Sequence, residues 1–107
     1  MKIQRTFCFA ATVLITQLAV AKLPFTNDIF GKEEGTLDYC ARVDSKSADK
    51  YQLKKRDLVK DVPENEVAEA RKTEEYKAGY EWIDGELAKM TKDEIVSACT
   101  AALNSKH

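Results

Sequence analysis

Apolar residues recur at helical spacing along most of the chain, and no segment alternates with period two. The clearest stripe is Tyr76, Tyr80, Ile83, Leu87 and Met90, which predicts a helix over residues 74–89 with that stripe in the core. Thr91 with Glu94 three residues on is a capping-box signature, and Ile95, Val96, Cys99, Ala102 and Leu103 share one side of the helix that follows, over 91–105. A first helix is expected over 36–43, with Thr36 as cap, Leu37, Cys40 and Ala41 inward, and Asp38 and Arg42 as an exposed i,i+4 pair. Ser47 caps a second helix over 48–60, whose inner positions Tyr51, Leu58, Val59 and Val62 leave a gap at Lys55; the stem of that lysine covers apolar surface while its amine stays in water. Asp61 reads as an N-cap, with Glu64 three residues later and Pro63 in a first turn, so a short helix follows over 63–72, separate from or fused to the next at Thr73.

Residues 22–35 read differently. Pro24, Gly31 and Gly35 interrupt them, and Leu23, Phe25, Ile29 and Phe30 are apolar anchors of an N-terminal arm that docks on the helices or meets a partner. The expected fold is all-α, a small irregular bundle of four to five short helices over 36–105.

Before the arm, Lys2 and Arg5 precede an apolar run over 7–20 that ends in Ala19, Val20 and Ala21, the three-part pattern of a secretory signal peptide over 1–21. Thr12, Thr16 and Gln17 interrupt the run, which is shorter than the roughly 20 apolar residues of a spanning helix. Membrane attachment is expected only through an uncleaved leader, and the mature protein is expected to be exported, to a periplasm or the exterior. Cys8 leaves with the leader, so three cysteines become two, and Cys40 and Cys99 are expected to pair. Their bridge would restrain the unfolded chain by about 4 kcal/mol in the chain-entropy account.

The full chain carries a net charge of −1, and without Lys2 and Arg5 the balance is 15 basic against 18 acidic residues, which disfavours a nucleic-acid partner. The single histidine is the terminal His107, no C-x-x-C pair exists, and the four glycines match no phosphate loop. Glu74 and Glu81 share a helical face, but Lys77 beside Glu74, like Lys72 beside Glu69 and Lys89 beside Glu86, marks a solvated, charge-laced surface. These absences point away from an enzyme, a metal site and a cofactor. Lys50, Lys54, Lys55, Arg56 and Lys60 form the one basic run; interrupted by Asp49, Asp57 and Asp61, it reads as a solvated face or a patch for an anionic partner such as phospholipid headgroups.

Trp82 lies roughly 115° around the helix from the Tyr76 stripe, at about 100° per residue. Ala78, Gly79 and Gly85 surround it, so either the arm or a neighbouring helix packs there, or the indole is an exposed anchor for a partner. Tyr39, next to Cys40, is a lesser candidate of the same kind.

The run L-D-Y-C-A-R from Leu37 to Arg42, taken with I-V-S-A-C from Ile95 to Cys99, is similar to the layout of small periplasmic acid-stress chaperones of the HdeA type. That resemblance implies a helical domain held by one disulfide between early and late helices. The chain also resembles small exported bacterial helical proteins with the same cysteine placement and a Tyr-x-x-x-Tyr helix. The function expected is a non-enzymatic exported protein-binding module (a chaperone, an inhibitor or an immunity-type partner) that meets another exported or envelope protein through Trp82, Tyr39, Phe25 and Phe30. The alternative is a structural or envelope stress protein with no defined ligand site.

Overall fold

A computed structural model describes residues 23–105; the expected leader over 1–21, with Cys8, and the terminal His107 lie outside them. Among the described residues there is no strand. Five α-helices and one 3-10 turn follow one another: α1 Asn27–Val43, the turn Ser45–Ser47, α2 Ala48–Leu58, α3 Glu64–Lys72, α4 Glu74–Ala88 and α5 Lys92–Asn104. The all-α bundle with one disulfide is therefore the observed architecture, and none of these helices is long and apolar enough to cross a membrane.

Local signals set most boundaries. The Thr91 hydroxyl accepts from the Glu94 N–H at 3.2 Å while the Glu94 carboxylate accepts from the Thr91 N–H at 2.9 Å, which starts α5 as a capping box. The Thr73 hydroxyl accepts from the Tyr76 N–H at 3.2 Å and donates to the Ala70 carbonyl at 2.7 Å, and the extended backbone of Thr73 keeps α3 and α4 separate. At α3 the expected cap is corrected. Pro63, not Asp61, holds the N-cap position, because the proline ring drives the preceding Val62 out of the helical region and no helix can begin before it.

The larger correction concerns the arm. Residues 27–35 are the first half of a 17-residue helix that runs to Val43, and Thr36 is no cap but sits inside it, donating to the Lys32 carbonyl at 2.8 Å. Each helix-interior glycine costs about 1 kcal/mol relative to alanine, and here the cost is offset by contact. A Cβ on Gly31 would overlap the Tyr76 carbonyl oxygen, and one on Gly79 would overlap the Asp28 carbonyl oxygen. At Gly35 it would come within 2.6 Å of Ile83 Cγ2. The missing side chains let α1 and α4 meet backbone to backbone, in the most extensive helix contact among the described residues.

The core has two parts. Leu37, Cys40, Tyr51, Leu58, Leu87, Ile95 and Cys99 form one cluster, and Phe30, Val67 and Ala70 the other. Cys40 and Cys99 are joined inside the first, with Cα atoms 5.6 Å apart, which fastens α5 to α1. The Tyr76 stripe faces α1 as the spacing predicts, with Leu87 buried and Tyr76, Tyr80 and Ile83 half-buried, but Met90 lies beyond the helix end and is exposed.

Two outcomes follow from this packing. Gly31→Ala or Gly79→Ala should destabilise the oxidised protein by about 1 to 3 kcal/mol through overpacking, whereas Gly85→Ala, where an added Cβ meets nothing within 4 Å, should stabilise it by about 1 kcal/mol; urea unfolding reads both. Replacing Cys40 and Cys99 together by alanine should lower the unfolding free energy by about 4 kcal/mol, and an unchanged urea midpoint would contradict the clamp.

Candidate functional site

Polar side chains continue the α1–α4 contact where the glycines end. Glu34 and Tyr76, Asp38 and Tyr80, and Arg42 and Asp84 are each 42 residues apart and are joined across the two helices. Partners that advance together along both helices make α1 and α4 parallel. The Tyr76 hydroxyl donates to Glu34 Oε1 at 2.6 Å, the Tyr80 hydroxyl donates to Asp38 Oδ2 at 2.5 Å, and the Arg42 guanidinium donates to Asp84 Oδ1 at 2.7 Å.

Each inner carboxylate also takes a cation from a third helix. Arg71 of α3 grips Glu34 with both sides of its fork, Nε to Oε1 at 2.9 Å and a terminal nitrogen to Oε2 at 2.6 Å. Lys55 of α2 reaches Asp38 Oδ1 at 2.9 Å. Glu34 is only 1 % exposed, so this set of donors is what permits a carboxylate in the interior. The expected Asp38–Arg42 pair is thus replaced by two separate bonds, and the Lys55 amine is ion-paired and not simply hydrated. Burial and the hydrogen bond to Asp38 push the Tyr80 phenol up to about 12; burial and the bond to Glu34 raise that of Tyr76 further. The bond to Glu34 likewise raises Arg71 above its ordinary value.

The acids and phenols of this ladder are satisfied by one another and by Arg71, Lys55 and Arg42. The outer charges, Lys72 with Glu69, Lys77 with Glu74 and Lys89 with Glu86, form the surface pairs the spacing predicts and contribute little to stability.

A bindable space lies just past the last rung, at the C-terminal end of α1. A groove of about 460 Å³ opens between the end of α1, the start of α5 and Tyr51 of α2. Tyr51, Ile95 and the disulfide residue Cys99 form its floor, and Asp44, Lys92 and Thr100 are polar points on its rim. Burial, then the Asp44 carboxylate, hold the Tyr51 phenol above its usual range. Val43, Met90 and Val96 also line the groove and are 53 %, 40 % and 58 % exposed, half of the six large apolar side chains that stand in solvent among the described residues. Such a groove can receive an apolar side chain or a turn of helix.

The four residues singled out from sequence do not form one surface. Trp82 is 54 % exposed, with the Lys32 amine 4.8 Å from its ring centroid, so neither an arm nor a neighbouring helix covers it. Its glycine neighbours differ: Gly79 is pressed on α1 while Gly85 faces open space. Tyr39 is half-buried against the disulfide cluster, with the Arg42 guanidinium carbon 5.3 Å from its ring. Phe25 is half-buried and stacked on Phe30 at 5.6 Å. Phe30 has no exposed surface and lies 5.3 Å from the Tyr76 ring, so it is a core residue and not a contact for a partner.

Sequence reasoning missed Glu34, Arg71 and the groove. The signal for Glu34 was available, since Phe30, Glu34, Leu37 and Ala41 continue one helical face backwards from the cysteine. No group of three or more possible metal-ligating side chains occurs among the described residues. No protein-family profile, curated protein or solved structure matches the chain.

Raised phenols fix the sign of an alkaline effect. The folded protein keeps the Tyr80 proton that the unfolded chain releases near pH 10, so this stabilisation is whole below pH 10 and is lost as the pH rises through about 12. Unfolding free energies measured from pH 8 upward should fall over that window, and less steeply in Tyr80→Phe. At pH 7, Tyr76→Phe should cost about 1 to 2 kcal/mol, since Glu34 then loses one of its donors inside the fold.

Proposed function

We infer that the chain is a non-enzymatic, exported protein-binding module, and that its groove beside the disulfide takes an apolar segment of another exported or envelope protein. One observation carries the reading: Val43, Met90 and Val96 stand in solvent around a single groove with an apolar floor. Scattered apolar residues on a surface need no explanation, but a cluster around a concavity is what partner sites present. A disulfide within the core agrees with an oxidising compartment, which supports export.

Trp82 is a separate patch. It sits beside Lys32, eleven residues before Val43 along α1, which is about 16 Å at the helical rise. An indole partly shielded by a lysine can add to an interface at that distance, and the groove is the main contact.

The test is affinity capture with the tagged, oxidised chain from envelope extract of its own host, followed by titration of the purified partner. Val96→Glu places a charge on the groove rim at an exposed helix position and should weaken saturable binding tenfold or more, while Trp82→Ala should weaken it less. A partner bound equally well by the wild type and Val96→Glu would overturn the groove, and the absence of any saturable partner would leave the structural, ligand-free reading in its place.

A further inference from the structure

A second concavity, independent of the groove at the disulfide, lies between α2 and α3. It encloses about 560 Å³ and draws its walls from both helices and the turn between them. Lys55, Arg56 and Lys60 come from the α2 side, and Arg71 comes from α3. Against these four cations the lining holds one acid, Glu64. The basic run of the sequence is therefore not spread evenly around the molecule: three of its members converge with an arginine from another helix, in a chain whose net charge is −1.

Two of the cations are already committed. Lys55 holds Asp38 and Arg71 holds Glu34, which fixes both at the mouth of the cavity. Arg56 and Lys60 form no ion pair among the described residues, so their charge is open to a ligand. The rest of the lining is Gln52 and four apolar residues, Val59, Val62, Val67 and Ala68. Val59 and Val62 pack against the Phe30, Val67 and Ala70 cluster, so this floor is an exposed edge of the core.

We propose that this cavity binds a free single-chain anionic amphiphile, an acyl or alkyl chain ending in a carboxylate or phosphate. The head accepts hydrogen bonds from Arg56 and Lys60, and the chain lies on the valines. Arginine suits such a head because its planar fork matches two oxygens at once. A small inorganic anion would use only the cations, and a neutral amphiphile only the floor; the pairing of the two is what selects the class. A nucleic acid is disfavoured by the acidic balance of the whole chain.

Calorimetric titration of the oxidised full chain with dodecyl phosphate below its micelle concentration tests this, with far-UV circular dichroism recorded to confirm that the fold persists. One saturable site is expected, with inorganic phosphate and dodecyl maltoside each binding at least tenfold more weakly. Arg56→Glu combined with Lys60→Glu, both at exposed positions, should weaken dodecyl phosphate tenfold or more. Ala68→Glu, on the exposed face of α3, should do the same by putting a like charge on the floor. Val96→Glu, on the other groove, should leave this binding unchanged, so the two sites fail or survive separately. The proposal is overturned if dodecyl phosphate does not bind or if the neutral amphiphile binds as well. It is also overturned if folded forms of both charge variants retain full affinity, or if phosphatidylglycerol vesicles are bound while the monomeric amphiphile is not.

Discussion

Where α1 crosses α4 the two backbones touch, and the positions of the other helices follow from that contact. Gly31 and Gly79 each lie against a carbonyl group of the facing helix, with no room for a methyl group on either side. Their cost in helix propensity is local, about 1 kcal/mol each, whereas the contact they permit runs along much of both helices and brings Phe30, Leu37, Ile83 and Leu87 into the interior or its margin. Parallel helices also need a chain that returns to its starting end between them, and α2 and α3 supply that return. In doing so they set Lys55 and Arg71 at the mouth of the contact, opposite the two acids of α1.

The acids are a consequence of the close approach. At a wider separation Glu34 and Asp38 could turn toward water; with the helices in contact, Glu34 is enclosed and must be matched atom by atom. Tyr76 and Tyr80 supply neutral donors from α4, and Arg71 and Lys55 supply charge from the returning helices. No buried side-chain polar atom is left without a partner among the described residues. Removing one donor leaves Glu34 short of a partner where water does not reach, which is why such a ladder specifies one register of α1 on α4 more sharply than apolar packing does. A shift by one residue on either helix would break every rung.

What was legible in the sequence was what neighbouring residues decide. Thr91 with Glu94, and Thr73 before two glutamates, act within one turn, and both act as read. Pairing of Cys40 with Cys99 followed from cysteine count, and the structure joins them. The first half of α1 was not legible in the same way, because Gly31 and Gly35 are helix breakers on local grounds and become helix residues only when α4 lies against them. Asp61 is not the cap for a reason that is itself local, the constraint of Pro63 on Val62. Periodicity also says which face of a helix is apolar without saying how far along it a neighbour reaches. The spacing puts Met90 in the core stripe and Val96 on the side of Ile95 and Cys99, yet both side chains are exposed and line the groove.

The disulfide matters to that groove beyond its effect on stability. Helix α5 packs chiefly on α1 and to a lesser degree on α2, and both contacts are small beside that of α1 with α4, so the covalent tie carries much of its attachment to the bundle. Cys99 is both the α5 end of the bridge and a floor residue of the groove, while Val43, three residues after Cys40, is on the opposite wall. The bridge therefore fixes floor and wall relative to each other. If a partner fills the groove as proposed, walls held in this way would need little further ordering, and the free energy of covering Val43, Met90 and Val96 would go into association and not into assembling the site.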